Sequence, residues 1–292
     1  MFKAKFSEYG VLSSLLFLVG IGLFFTTLAI SVWQIFSGGN TTDINSLKGL
    51  QFLQAVGMFV IPSVLFAYLW SKNAFEYLSL DKKTGIKTTA VVVLFMLVSI
   101  PFINLLGELN QKLVLPHFLS DVEAWMKASE LQAAKLTSAM LGVSTFGGLM
   151  VNLLLIAFVP ALGEELFFRG VFQRIFSNWK GAYVSVWLTA FVFSAIHFQF
   201  YGFLPRFLLG AFFGYLVIWS GNLWLPILAH FINNAIAILF FYFKFNKFPV
   251  VDMDRIGTGS TFWVGILSMA VAVLLLFYMQ KNFRKHRVPN ES

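Results

Sequence analysis

The sequence predicts an all-α, polytopic membrane helical bundle, and two observations carry that prediction. Hydrophobic residues make up 58% of the 292 residues and charged residues only 12%, whereas soluble domains average about 25% charged residues. Apolar runs of about 18 residues or more, long enough to cross a bilayer, recur along the whole chain. In lipid, only helices or closed barrels satisfy their own backbone hydrogen bonds. Barrel strands alternate polar and apolar residues, whereas these runs are continuous, so helices are predicted.

About eight transmembrane spans are predicted. They cover approximately residues 11–36, 50–71, 88–108, 143–178, 181–199, 204–220, 223–243 and 261–280. The fourth exceeds the roughly 20 residues needed to cross a bilayer, so it should tilt or project beyond the membrane. The chain divides into an N-terminal part with three spans and an amphipathic connecting segment (1–142), a core of four spans (143–243), and a last span with a basic tail (244–292).

The distribution of basic residues predicts that both termini are cytoplasmic. Lys3 and Lys5 precede the first span, whereas the first external loop carries only Lys48. With eight spans, the loop after the second span and the C-terminal tail fall on the same side as the N-terminus. Their basic residues are Lys72, Lys82, Lys83, Lys87, Lys281, Arg284, Lys285 and Arg287. Three further basic residues are exceptions to the excess of Lys and Arg on the cytoplasmic side, because this topology places them outside: Lys244, Lys247 and Arg255.

The net charge of +8 indicates a partner with negative charge. The basic residues lie in loops and tails between spans, where they meet anionic lipid headgroups, and the sequence contains no nucleic-acid-binding motif. We therefore expect the lipid bilayer as a partner and no nucleic acid. The sequence contains no cysteine, which excludes disulfides, thiolate catalysis and thiolate metal sites.

The segment from residue 110 to residue 140 is polar enough to leave the bilayer. Apolar residues such as Val122, Trp125 and Leu131 alternate there with charged residues such as Glu123 and Lys127. This pattern predicts a helix that lies on the membrane surface. A solvated connecting helix fits the same pattern equally well.

Three charged residues, Glu164, Glu165 and Arg169, follow a nearly uncharged stretch of about twenty residues. A charge at membrane depth costs between about 2.5 and more than 10 kcal/mol. Either these side chains have partners, a water-filled cavity or a function, or the apolar helix ends before Glu164 and they lie among the headgroups. Neighbouring residues on a helix point about 100° apart, so the two carboxylates face different targets. Glu165 and Arg169 have the spacing and order of a helical ion pair, which leaves Glu164 free for chemistry.

Two histidines lie in predicted spans: His197 late in the fifth, and His230 in the seventh on the same helical face as Asn234. His117 lies in the long loop and His286 in the tail. A lone histidine in a span most often packs or bonds to a neighbouring helix. Two histidines with a carboxylate and a carboxamide, spread over three helices, indicate a functional site.

Two kinds of chemistry fit these side chains. Glu164, His197 and His230 could hold one divalent metal ion, for which zinc is the expected identity, and leave a position open for water. Without a metal, Glu164 and one histidine could activate water while histidine and Asn234 donate hydrogen bonds to an oxyanion. Both indicate hydrolysis of an acyl bond. Gly-x-Ser-x-Gly and His-Glu-x-x-His motifs are absent from the sequence.

Two prolines precede the candidate residues. Pro160 and Pro226 each lie four residues before one of them, Glu164 and His230 respectively. Proline removes a helical hydrogen bond and can kink a helix. We therefore expect kinks at both positions that open a cavity around the site.

Three motifs in order resemble the CAAX protease and bacteriocin-processing (CPBP) family of membrane proteases, also called the Abi family. They read EELFFR at 164–169, FSAIH at 193–197 and HFINN at 230–234, and the resemblance covers about residues 143–243. It implies that the catalytic set is Glu164, Glu165, Arg169, His197, His230 and Asn234. In this set Glu164 activates water, Arg169 is a structural partner, and His197 acts as a base or ligand. His230 and Asn234 stabilise the oxyanion or bind metal.

The resemblance implies an intramembrane endopeptidase, in a prokaryotic inner membrane, that acts on a membrane-associated or lipid-modified peptide or protein. Eukaryotic members of the family remove the last three residues of prenylated CAAX proteins, whereas many prokaryotic members act on other peptides. Some have roles in bacteriocin immunity or scaffolding, so a non-proteolytic protein with the same fold is the alternative. A transporter would show paired broken helices or inverted repeats, and the sequence shows neither. The sequence assigns no oligomeric state.

Overall fold

The computed structural model describes residues 9–283, and every regular element in that range is a helix. The all-α prediction is confirmed. The main helices are α1 (Val11–Ser37), α2 (Ile44–Trp70), α3 (Ile86–Val98), α4 (Ile100–Gln111), α5 (Ser120–Leu141), α6 (Phe146–Lys180), α7 (Ala182–Ala195), α8 (Phe203–Ser220), α9 (Trp224–Phe245) and α10 (Phe262–Phe283).

Within residues 9–283, six helices are long and apolar enough to cross a bilayer, and the bent pair α3 and α4 would be a seventh. These helices indicate an integral, multi-pass membrane protein. The predicted fifth span is shorter than expected, because α7 has only 14 residues. The predicted orientation stays a prediction, and some of its evidence (Lys3, Lys5, Arg284, Lys285 and Arg287) lies outside the described residues.

A single span was predicted over residues 88–108, but the chain bends by 42° at Ser99. Pro101 has no N–H to continue the hydrogen-bond ladder, and its ring disfavours helical geometry in the preceding residue. The Ser99 hydroxyl also donates to the Phe95 carbonyl at 2.7 Å, a back-bond that often bends helices. Together these features explain the break.

The long helix α6 contains two π-helical segments that flank the charged motif. The first, Leu153–Phe158, ends just before Pro160, whose missing N–H explains a widened turn. The second, Leu166–Phe172, starts directly after Glu165, and its seven residues are all buried. The prediction for Pro226 is wrong: it lies in the first turn of α9, where an N–H would have no partner within the helix and proline causes no kink.

The connecting helix α5 exposes the apolar residues singled out in the sequence. Trp125 is 51% exposed and Leu131 is 56% exposed, so neither side chain packs into the protein core. Lys127 pairs with Glu123 at 2.6 Å on the same helix. The exposure of the apolar side favours contact with a membrane surface over a fully solvated helix.

The contact between α1 and α2 depends on Gly57. An added Cβ at this position would lie 2.7 Å from the Phe25 carbonyl oxygen, so the two helices would have to move apart. We expect Gly57→Ala to lower the free energy of unfolding by about 1–3 kcal/mol. The matched control is Gly49→Ala on the same helix, where an added Cβ meets nothing within 4 Å. Thermal melting in detergent measures both, and equal melting temperatures would contradict this account of the contact.

Candidate active site

The site is built around a buried ion pair in α6. Arg169 Nη1 lies 2.8 Å from Glu165 Oε1, and both side chains are fully buried. This contact confirms the ion pair that the four-residue spacing predicted. The alternative was that the apolar helix ends before Glu164, but α6 continues to Lys180, and the side chains of Glu165 and Arg169 are buried inside the protein and do not face lipid headgroups. A buried pair is stable only when further hydrogen bonds satisfy the remaining polar atoms.

Helices α7 and α8 supply further contacts to Arg169. Arg169 Nη2 donates to the Gly210 carbonyl at 2.9 Å, and the guanidinium carbon lies 4.5 Å from the ring centroid of Phe193 and 5.4 Å from that of Phe213. An added Cβ on Gly210 would lie 3.2 Å from Arg169 Nη2. Gly210 was not predicted from the sequence. A signal was present, since Gly210 and Gly214 have the four-residue spacing that lets membrane helices approach closely.

His230 of α9 lies between the two glutamates. Its Nδ1 is 2.9 Å from Glu165 Oε1, and its Nε2 is 3.8 Å from Glu164 Oε2. Glu165 is ion-paired with Arg169 and therefore accepts hydrogen bonds, so Nδ1 of His230 carries the hydrogen and donates it. In the neutral ring Nε2 then offers a lone pair towards Glu164. The ring of Phe213 stacks on the imidazole at 5.2 Å and helps to fix its plane.

Glu164 has a free carboxylate oxygen. Among the described residues, its buried Oε2 has no hydrogen-bond partner, and a 3.8 Å separation from His230 Nε2 is too long for a direct hydrogen bond. At this distance one water molecule can bridge the two atoms. A buried acceptor without a partner costs about 1–3 kcal/mol, so this arrangement favours a water or substrate atom at Glu164.

The sequence predicted His197 late in the fifth span. In the structure α7 ends at Ala195, so His197 follows the helix and does not lie within it. Its Nδ1 lies 2.7 Å from the Phe193 carbonyl, and because a carbonyl only accepts, Nδ1 donates. The ring of Phe193 separates the two histidines, with centroids 5.1 Å from His197 and 5.8 Å from His230. The next residue, Phe198, has a φ of 52°, a left-handed conformation that is strained for a bulky residue and recurs at functional sites.

Asn234 lies one turn after His230 on α9, as predicted, and is half-buried. Its Oδ1 accepts a hydrogen bond from Asn233 Nδ2 at 3.3 Å. No hydrogen bond between described residues joins Asn234 or His197 to Glu164. The structure thus brings Glu164, Glu165, Arg169 and His230 together and leaves the other two nearby.

Arg206, in the first turn of α8, was not predicted from the sequence. It is near enough to Glu164 for the two charges to interact, and its Nη2 donates to Gln199 Oε1 at 2.7 Å. Glu130 of α5 provides a countercharge. An arginine in an otherwise apolar predicted span was the signal, since intramembrane charges are costly and usually functional.

The donor chemistry of the site suits a metal ion, but its geometry does not. Glu164 offers a carboxylate, and His197 and His230 each offer Nε2 while Nδ1 donates to an acceptor, as in many zinc sites. However, no group of three potential ligands within residues 9–283 is placed to hold an ion. We therefore derive no step through a metal, and zinc stays a prediction.

This part of the chain is similar in sequence to known proteins. Residues 146–236 match the sequence model of the family described as type II CAAX prenyl endopeptidase Rce1-like, which confirms the resemblance to CPBP proteases. The chain is also similar to the uncharacterized protein YpbD of Bacillus subtilis (strain 168), with 28% identity over 89 residues. That alignment covers 29% of this chain and 43% of YpbD. No solved structure gave a significant match.

Proposed function

We propose that this protein, which is similar to the CPBP family over residues 146–236, is an intramembrane endopeptidase in which Glu164 activates a water molecule for attack on a peptide bond. One observation carries the proposal. The carboxylate of Glu164, which has a free oxygen, faces Nε2 of His230, and the His230 ring is held in place by Glu165, which is ion-paired with Arg169. Glu165 and Arg169 act as positioning residues, because Glu165 fixes the tautomer and orientation of His230.

The reaction follows from these positions. Water bound between Glu164 Oε2 and His230 Nε2 gives a proton to Glu164 as its oxygen attacks the carbonyl carbon of the scissile bond. The carbonyl oxygen becomes an oxyanion. Glu164 then gives the proton to the leaving amine as the C–N bond breaks, which restores the carboxylate and completes the addition of one water molecule.

The oxyanion requires a hydrogen-bond donor. Neutral His230 cannot donate from Nε2, because its hydrogen is on Nδ1, and the same holds for His197. The amide of Asn234 and the guanidinium of Arg206 are the nearby groups that donate without a change of protonation. We assign Asn234 this role first, since it shares a helical face with His230, while His197 assists as an acceptor.

The substrate class follows from the location of the site. The helices that carry Glu164 and His230, α6 and α9, are apolar and long enough to cross a bilayer, so a membrane-associated or lipid-modified peptide or protein reaches the site most directly. We place the protein in a prokaryotic inner membrane with both termini in the cytoplasm. A non-proteolytic scaffold or immunity protein is the alternative function. If a metal binds, Glu164, His197 and His230 would hold it, and it would supply Lewis-acid polarisation of water.

We expect His230→Ala to lower cleavage at least about a hundredfold, because Glu164 loses the group that positions water with it. Purified protein in liposomes would be assayed with membrane-anchored fluorogenic peptides, prenylated and unprenylated, and the same samples analysed for zinc. The matched control is His117→Ala, an exposed histidine outside the site, which should leave cleavage unchanged.

Two results would decide against parts of this proposal. Cleavage by His230→Ala at the wild-type rate would remove His230 from the mechanism. A folded wild-type protein that cleaves no peptide, together with a Glu164→Ala variant that retains its cellular role, would favour the non-proteolytic alternative. About one zinc per wild-type chain, lost in His230→Ala, would add the metal to the mechanism.

A further inference from the structure

A polar cavity of about 520 Å³ lies beside the candidate active site. Its walls come from the segment after α2 (residues 77–82), the second half of α6 (169–178), the start of α7 (Ala182), and the end of α8 with the turn that follows it (217–223). Neither Glu164 nor His230 lines it. Arg169 is the residue shared by both, since it pairs with Glu165 and also forms part of the cavity wall.

The wall of this cavity carries excess positive charge. It includes Lys82, Arg169 and Arg174, and no carboxylate lines it. Glu165 neutralises Arg169, but no carboxylate within the described residues forms an ion pair with Lys82 or Arg174. Tyr77, whose ring centroid lies 4.4 Å from the Arg174 guanidinium carbon, does not compensate either, since burial raises the pKa of Tyr77 to about 12. The cavity is therefore suited to an anion.

The backbone at the mouth of the cavity is held in an unusual conformation. Ser79 has a φ of 56°, a left-handed geometry that is uncommon for residues other than glycine and needs surrounding support. Its carbonyl accepts from the Leu223 N–H at 3.0 Å, and its hydroxyl accepts from Arg174 Nη2 at 3.3 Å. These bonds tie the loop to α6 and α9 and hold the cationic side of the cavity in place.

We propose that this cavity binds the phosphate group of a phosphate ester. The phosphate oxygens accept hydrogen bonds from Lys82 and Arg174 in the cavity wall. Such a group comes either from the headgroup of an anionic lipid or from a soluble phosphate ester. The loop of the cavity lies on the face predicted to be cytoplasmic, where basic pockets between membrane helices bind lipid headgroups.

Binding is tested directly, without reference to peptide cleavage. Native mass spectrometry would compare short-chain phosphatidylglycerol with short-chain phosphatidylcholine on the full-length protein, and calorimetry would measure glycerol 3-phosphate and inorganic phosphate. We expect phosphatidylglycerol to bind at least about tenfold more tightly than phosphatidylcholine. Lys82→Gln and Arg174→Gln should each weaken that binding about tenfold, the effect of losing a hydrogen bond to a charged group.

Two features keep the test decisive. Lys82 is exposed, so Lys82→Gln should fold normally even if Arg174→Gln does not, and Lys72→Gln is a matched control from the same segment that does not line the cavity. Tight binding of the lipid alone assigns a membrane headgroup, and equal binding of glycerol 3-phosphate assigns a soluble ester. If none of these ligands binds in a way that depends on Lys82 or Arg174, the proposal is overturned, and the proposed peptidase activity is unaffected.

Discussion

Glu164→Gln is expected to reduce peptide cleavage at least about a thousandfold while the protein stays folded. The substitution keeps the shape of the side chain but removes the base that takes the proton from water, and general bases contribute about 10²–10⁴ in rate. Folding should be little affected, because Glu164 Oε2 has no hydrogen-bond partner among the described residues. The measurement is the initial rate of cleavage in liposomes, with circular dichroism and the melting temperature as checks of folding.

The control for Glu164→Gln is Glu123→Gln, since Glu123 is a carboxylate of the connecting helix α5 that pairs with Lys127 outside the site. This variant should cleave at the wild-type rate. Glu164→Asp keeps a carboxylate but withdraws it from His230, so its rate should fall between those of the wild type and Glu164→Gln. If Glu164→Gln cleaved at the wild-type rate, Glu164 would be ruled out as the base, and His197 would become the candidate.

Features that depend on local sequence could be predicted. Apolar runs marked most helices to within a few residues, because burial of the backbone in lipid leaves few alternatives to a helix. The pairing of Glu165 with Arg169 also followed from the sequence, since residues four apart on a helix are neighbours. The same spacing argument predicted that Glu164 does not pair with Arg169, and in the structure Arg169 pairs with Glu165.

Features that depend on packing between distant segments could not be predicted. The contact of Glu165 with His230 joins residues 65 positions apart, and no periodicity states which of two adjacent glutamates a histidine on another helix will meet. The position of His197 is a similar case. The apolar run continues through residue 199, but α7 ends at Ala195, where the Ser194 hydroxyl donates to the Phe203 carbonyl at 2.7 Å and helps to fix the turn into α8.

Arg169→Met should lower the free energy of unfolding by about 3–5 kcal/mol, the usual cost of removing one partner from a buried ion pair. Glu165 would remain buried without its cation, and the Gly210 carbonyl would lose its donor. Unfolding in mixed micelles, followed by circular dichroism, measures the change. Lys127→Met serves as the control. It breaks an exposed ion pair of the same spacing, and such pairs contribute little to stability, so no measurable change is expected.

A double-mutant cycle distinguishes a lost ion pair from lost packing around Arg169. If the cost of Arg169→Met comes from the uncompensated carboxylate, Glu165→Gln should relieve part of it, and the double variant should be more stable than the sum of the two single changes implies. If the effects simply add, the cost lies in the contacts of the guanidinium with Phe193 and Phe213. Cleavage separates the roles further. Because Glu165 orients His230 and does not touch the substrate, the double variant should lose catalytic rate even where stability is recovered.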